Sequence, residues 1–290
     1  MLESEKLKIY LFVLIPMLFW SSHSVFAKYI LAQGGGVFEI IFYRTLGAVL
    51  VFSFFLNPKR LLSYSYTVWI PGCIFFLNMV AFHYALHYLD AYIVMVLEAS
   101  CFVFSFYFDR LMKKRVVLSK TAMLFFIVGI SLLIFNAFKA EGNLQLIGLV
   151  FAIATSVFLG VFNSTLYLVN ENKDKNILVL APMLLLSIPF VLQESSHSVL
   201  GLTDIVLIIG VLGVLQTGLT VYCWTKASLY FSGTTLSLFF LLTLPGTFLT
   251  EWLILGVNLN ILTLIASLLI TLSVIKNVKS IQKNKSTKKE

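Results

Sequence analysis

Long apolar stretches of about twenty residues, each closed by a short polar interruption, set the pattern of this 290-residue chain. Ten such stretches can be marked off, at 8–31, 38–56, 67–88, 91–109, 118–137, 145–168, 177–193, 204–226, 233–255 and 259–276. About 20 apolar residues in a helix cross the hydrocarbon core of a bilayer. Backbone in lipid must satisfy its own hydrogen bonds, so the stretches are expected as α-helices. They lack the alternation that strands of a membrane barrel would show. The expected fold is therefore an all-α integral membrane protein with ten transmembrane helices. Only Leu89 and Asp90 separate the third stretch from the fourth. The first stretch is too long for a cleaved leader, and no A-x-A-like site follows it.

Composition narrows the class. The chain is 59% hydrophobic and 12% charged, with a mean hydropathy of +0.96. Soluble domains carry about 25% charged residues. A water-soluble globule, a disordered chain, a disulfide scaffold and a large soluble catalytic domain are thereby excluded. The net charge of +8 is explained by its placement. With a cytoplasmic N-terminus, the inner side holds Lys6, Lys8, Lys59, Arg60, Arg110, Lys113, Lys114, Arg115, Lys120, Lys173, Lys175, Lys226 and the six lysines from Lys276 to Lys289. The outer side holds only Lys28 and Lys139, and Arg44 lies inside the second stretch. This is the positive-inside pattern, and it expects both termini in the cytoplasm. The basic tail then faces anionic headgroups, and no nucleic acid is expected as a partner. Lysine outnumbers arginine and Ile, Phe and Asn are abundant, which points to an AT-rich genome and a bacterial cytoplasmic (inner) membrane. Cys73, Cys101 and Cys223 all fall within spans and read as packing residues. No C-x-x-C, H-E-x-x-H or Gly-rich phosphate loop is present, so neither a metal nor a cofactor is expected.

The two halves resemble each other at an offset of 142 residues. Tyr84-Ala85-Leu86-His87-Tyr88 falls over Lys226-Ala227-Ser228-Leu229-Tyr230, and Asp109-Arg110-Leu111 over Glu251-Trp252-Leu253. Ser105-Phe106 falls over Thr247-Phe248, and Trp20-Ser21-Ser22 over Phe162-Asn163-Ser164. Five spans per half is an odd number, so the second half must enter the membrane from the opposite side. Residues 1–138 form the first repeat, 139–278 the second, inverted one, and 279–290 a basic cytoplasmic tail. Inverted repeats are the architecture of alternating-access transporters with a midplane site.

Phe19-Trp20-Ser21-Ser22 in the first span, Tyr43-Arg44 in the second and Leu244-Pro245-Gly246-Thr247-Phe248 in the ninth carry a family resemblance. Over residues 8–276 the chain resembles the EamA-type transporters of the drug/metabolite transporter (DMT) superfamily. The resemblance implies ten helices in two inverted halves and a cavity lined by helices 1, 3, 4, 6, 8 and 9. The chain departs from the family pattern at Val103, in the register of Pro245, and at Lys114-Arg115 and Gly256-Val257, where a Gly-Glu pair is frequent.

An ionisable group at membrane depth costs about 2.5–3.5 kcal/mol on the insertion scale and faces a partner or a cavity. Arg44, His23, His83 and Glu98 come from four helices and share one depth band. Glu98 is the expected anionic or protonatable centre, with a structural pair to Arg44 or a histidine as the plain alternative. Glu251, the repeat mate of Asp109, has no basic neighbour in sequence. Asp109 is expected to pair with Arg110 or Lys113, and Glu39 to be solvated at the outer interface. Asn78, Asn163, Gln216, Thr217 and Thr220 offer hydrogen bonds, and Ser21 coincides with Asn163 under the repeat. Trp20, Tyr92, Tyr222 and Trp224 offer rings for stacking on a cationic or planar group. Gly148, Ala152, Ser156, Gly160 and Ser164 form a small-residue stripe, read as an internal packing seam.

The substrate-binding candidates are therefore Trp20, Ser21, His23, Asn78, His83, Glu98, Asn163, Gln216, Tyr222 and Trp224; the charge-coupling candidates are Glu98, His83, Arg44 and Glu251. The expected function is secondary transport of a small organic metabolite, an amino acid or amine-bearing zwitterion, with proton coupling or exchange. The expected partners are that substrate and the lipid bilayer, for a monomer or weak homodimer. Nucleoside-like or S-adenosyl compounds are the alternative substrates. Of other classes, a channel or receptor module stays open. An enzyme is not expected, because the G-x-S-x match at Gly129-Ile130-Ser131-Leu132 has no base beyond His87 except His197.

Overall fold

A computed structural model describes residues 3–53, 65–112, 119–140, 146–169, 175–194, 200–256 and 261–286. The expectations for Lys59, Arg60, Lys113, Lys114, Arg115, Lys173, His197 and Val257 lie outside the described residues. Every regular element among those described is helical. The helices are α1 (Glu3–Ala32), α2 (Val37–Ser53), α3 (Ile70–Tyr88), α4 (Ala91–Leu111), α5 (Lys120–Ala140), α6 (Leu146–Thr165), α7 (Lys175–Glu194), α8 (Leu202–Ala227), α9 (Gly233–Ile254) and α10 (Ile261–Ser286). Seven of them, α1, α3, α4, α6, α7, α8 and α9, are long and apolar enough to cross a membrane. The chain is thus an all-α, membrane-embedded protein. Helix α2 has 17 residues, and the apolar stretches described in α5 and α10 are Lys120–Leu132 and Leu264–Asn277.

Three of the long helices are not uniform. Helix α4 bends at Ala99–Ser100, between Ala91–Glu98 and Cys101–Leu111. The Ser100 hydroxyl donates to Leu97 O (2.7 Å), diverting that carbonyl from the helix ladder. Helix α9 bends at Leu241–Leu242, between Gly233–Phe240 and Thr243–Leu255. Pro245 has no N–H to give the carbonyl four residues back, that of Leu241. The Thr243 hydroxyl donates to Phe240 O (2.7 Å) across the same bend. Helix α8 is π-wound from Ile208 to Leu219. The Thr217 hydroxyl follows the wider turn and donates to Leu212 O, five residues back (2.7 Å). Hydropathy alone gave no sign of these irregularities.

The helices pack in matched sets. Helix α3 lies along α6 and α7, while α8 lies along α1 and α2. Helix α4 lies along α6, and α9 along α1. Three further pairs, α2 with α7, α4 with α9 and α5 with α10, complete the bundle. The small-residue stripe of α6 is buried, and it is an internal seam as expected. A Cβ on Gly160 would stand 2.8 Å from Cys101 O, so α4 approaches that closely only because the residue is glycine. Gly246 of α9 does the same service against the Ser21 side chain of α1. Leu18, Leu192 and Leu202 are more than two-thirds exposed, which suits side chains solvated by lipid. Ser131 also lies on an exposed face of α5.

Long-range caps hold the helix ends. Lys28 Nζ donates to Leu86 O (2.9 Å) and Leu89 O (2.8 Å), closing the end of α3, and stands 3.9 Å from Asp90. Glu39 is 2% exposed rather than solvated. Its carboxylate accepts from Gly36 N (3.1 Å), and Glu194 of α7 accepts from Phe38 N (2.7 Å) and Glu39 N (3.0 Å). The start of α2 is thus buried between two carboxylates, which satisfy N–H groups no helix can pair internally. Asp109 is likewise buried and accepts from Thr234, a partner 125 residues away that local sequence could not suggest.

Candidate functional site

Residues just before the bends of α4 and α9 line one cavity. It measures about 20 Å³, room for about one water, and lies between Trp20 and His23 of α1, Phe75, Asn78 and Met79 of α3, Met95 and Glu98 of α4, Leu159 of α6 and Phe240 of α9. Four sequence-expected site residues thus meet in one space: Trp20, His23, Asn78 and Glu98.

Glu98 is 3% exposed. Its Oε1 accepts from Asn78 Nδ2 (3.1 Å) and from Thr155 Oγ1 of α6 (2.9 Å). Asn78 Nδ2 also donates to Thr155 O (3.0 Å) and Thr155 Oγ1 (2.6 Å). This knot ties α3, α4 and α6 at the buried carboxylate. The second oxygen of Glu98 receives no hydrogen bond from the described residues, and Asn78 Oδ1 has none either. Glu98 and Asn78 thus leave acceptors over at this wall. Thr155 was not singled out from sequence. Its signal is helical: it lies one position from Ser156 of the small-residue stripe, turned toward the polar side of α6.

Arg44 belongs to a second knot beside the first. It is 1% exposed, and its Nε donates to Thr217 Oγ1 of α8 (2.9 Å). Its Nη1 contacts His23 Nε2. An arginine can only donate, so His23 Nε2 is the acceptor and the ring proton sits on Nδ1. His83 donates from Nδ1 to Met79 O (2.7 Å), which leaves Nε2 as an acceptor with no partner among the described residues. His23 stacks on Phe82 (4.8 Å, 13°) and meets His83 edge-on (5.9 Å). Among the described residues, Arg44 and Glu98 do not come within ion-pairing distance; each has its own polar partners.

The other candidates stand around this centre in separate arrangements. Trp20 Nε1 donates to Gln216 O (3.0 Å), and the Trp20 ring meets Trp224 edge-on (5.1 Å) and tilts against Phe240 (5.9 Å). Gln216 Nε2 donates to Ser22 Oγ (2.8 Å). Trp224 Nε1 donates to Asn163 Oδ1 (2.8 Å), and Asn163 Nδ2 to Ser237 Oγ (2.8 Å). Trp224, Asn163 and Gln216 thus form a layer next to the cavity rather than its wall. Ser21 donates to Met17 O (2.6 Å) and packs on Gly246. Tyr222 lies farther off, against Phe12 and Phe52. Glu251 stands at the start of α4, where it accepts from Tyr92 N (3.0 Å).

A solved crystal structure is similar to this chain with a TM-score of 0.72, over 94% of this chain and 98% of that one, at 15% sequence identity. At that identity the likeness is one of fold alone. No family model and no curated protein matches the sequence.

Proposed function

We infer that the chain is a secondary transporter of a small organic metabolite, working by alternating access across a bacterial cytoplasmic membrane. In this reading ten helices cross the bilayer in two inverted five-helix halves, as in EamA-type members of the DMT superfamily, and both termini are cytoplasmic. The observation that carries it is the small, largely apolar cavity beside the bends of α4 and α9, with the buried Glu98 carboxylate and Asn78 as polar groups in its wall. A buried carboxylate of this kind marks a substrate or proton pathway by default. The packing supports the inverted repeat. Exchanging each helix for the one five places on turns α3–α6 into α8–α1, α3–α7 into α8–α2 and α4–α6 into α9–α1, and all six contacts exist. The two bends also lie 142 residues apart, at Ala99–Ser100 and Leu241–Leu242.

The wall chemistry favours an amine-bearing substrate, an amino acid or related zwitterion. Glu98 and Asn78 present unfilled acceptors, which an ammonium group satisfies with its N–H donors. Trp20, Phe75 and Phe240 supply ring faces and edges for a cation or a planar substituent. The reading includes proton coupling or exchange, with Glu98 as the group that carries proton or substrate in turn.

The test is counterflow in proteoliposomes with labelled amino acids and amines. Saturable counterflow is expected from the wild-type chain and loss of it from Glu98→Gln. Unchanged flux in that variant removes Glu98 from the mechanism, and a non-saturable conductance makes the protein a pore.

A further inference from the structure

The two bent helices hold each other by their ends. Helices α4 and α9 run antiparallel, so each ends where the other begins. Asp109, near the end of α4, is fully buried and accepts from Thr234 N (2.7 Å) and Thr234 Oγ1 (2.8 Å) in the first turn of α9. Glu251, near the end of α9, is 3% exposed and accepts from Tyr92 N (3.0 Å) in the first turn of α4. The donors, Tyr92 and Thr234, and the acceptors, Asp109 and Glu251, are each related by the same offset of 142 residues. The first N–H groups of a helix lack internal partners and carry the positive end of its dipole, so a carboxylate binds them well. From Thr234 to Glu251 is roughly 25 Å along α9 at 1.5 Å per residue. That approaches the roughly 30 Å of a hydrocarbon core. The two caps therefore lie toward opposite faces, and the cavity with Glu98 and Phe240 lies between them.

We propose that these caps are the two latches of the transport cycle: Asp109–Thr234 shuts the cavity from one face, and Glu251–Tyr92 shuts it from the other. The inference rests on the transporter reading. A bundle that opens toward one face must part α4 from α9 there while keeping them together at the far end. A buried carboxylate and a buried N–H tolerate two states, bonded to each other or bonded to water. Parting the helices admits that water, so each latch has a satisfied closed state and a satisfied open one. With both latches made, the cavity holds room for about one water. The latches are unequal. Asp109 accepts two hydrogen bonds from Thr234, one from its backbone N–H and one from its hydroxyl. Among the described residues Glu251 accepts one bond, from Tyr92. The Glu251 end is the one that opens more readily.

The experiment is double electron–electron resonance on the full chain in lipid nanodiscs, with Cys73, Cys101 and Cys223 replaced by alanine. One label pair, Tyr107→Cys with Tyr230→Cys, reports the Asp109 end; the other, His87→Cys with Leu253→Cys, reports the Glu251 end. All four positions are exposed. Asp109→Asn is expected to raise the open population at its own end about tenfold, equivalent to about 1.4 kcal/mol, without opening the other. Glu251→Gln is expected to do the reverse by about threefold, the smaller step of the weaker latch. Thr234→Val keeps the backbone donor, moves the Asp109 end the same way by a smaller step, and decides the matter if Asp109→Asn does not fold. Plain helix caps would lower thermal stability with no change in either distance, or loosen the same end in both variants, and either result overturns the proposal. Counterflow on the unlabelled wild-type chain separates the two readings. Opposite shifts without counterflow keep the latches and overturn transport; counterflow without opposite shifts does the converse.

Discussion

Glu98 and Phe240 occupy the same place in two bent helices, just before the bends of α4 and α9, and both line the central cavity. One is a carboxylate, the other a ring. The contrast extends outward at the same offset of 142: His23, His83 and Asn78 in the first half stand where Thr165, Thr225 and Thr220 stand in the second. Thr165 and Thr220 tie back to carbonyls of their own helix, Val161 O and Gln216 O, while Thr225 donates both to Tyr222 O of its own helix and to Asn176 of α7. Of the first-half residues, Asn78 reaches across to Glu98 and Thr155 and His23 to Arg44, while His83 bonds to Met79 O of its own helix. The two halves therefore share packing and differ in chemistry. Both helices bend at matched positions, and the carboxylate and amide of the cavity wall, Glu98 and Asn78, come from the first half.

The largest effect expected from this contrast is on transport. Glu98→Gln should lower saturable uptake in proteoliposomes at least a hundredfold, whereas Phe240→Leu, which keeps an apolar wall, should stay within tenfold of wild type. Equal losses in the two variants would erase the distinction between the walls.

Much of this arrangement was legible in the sequence, and for a physical reason. A span announces itself by length, and an ionisable residue within a span must face inward, so Glu98, His23, Arg44 and His83 could be placed at one depth before any contact was known. Trp20 and Asn78 followed from helix position and residue type. What stayed hidden depends on partners distant in the chain. Glu39 reads as interfacial until the end of α7 is seen to bring Glu194 onto the start of α2. Nothing near Asp109 in sequence suggests Thr234, which the antiparallel α9 brings to it. The π winding of α8 has no hydropathy signature, yet its free carbonyl at Gln216 accepts from both Trp20 Nε1 and Thr220 Oγ1.

Next in size is a stability effect where the halves solve one packing problem differently. Where α9 crosses α1 the glycine is on α9, at Gly246 against Ser21; where α4 crosses α6 it is on α6, at Gly160 against Cys101 O. Gly246→Ala puts a methyl into the Ser21 side chain, and overpacking of that kind costs about 1–3 kcal/mol. Thermal unfolding in detergent should show it. Ser21→Gly in the same chain should recover part of the loss, because the obstacle is a side chain. Gly160→Ala should be recovered by no single side-chain truncation, because Cβ there meets Cys101 O and Ser105 N of the backbone as well as Phe104 Cβ. Recovery of both, or of neither, would make the two crossings equivalent after all.

The smallest expected effect separates the two polar ties between long helices. Thr155→Val replaces a hydroxyl by a methyl of similar size at the α3–α6 crossing. It removes the donor to Glu98 and an acceptor for Asn78, while the direct Asn78–Glu98 bond remains. Interhelical hydrogen bonds in membranes are worth about 0.6 kcal/mol on average and about 1.7 at most. Two bonds lost beside a buried carboxylate place Thr155→Val toward the upper figure. Gln216→Leu at the α1–α8 crossing removes the bond to Ser22 and leaves Trp20 bonded to the backbone carbonyl, so it should fall at or below the average. Urea or thermal denaturation of both variants measures the gap. A larger loss for Gln216→Leu would mean that the α1–α8 crossing, not the α3–α6 crossing, holds the tighter polar tie.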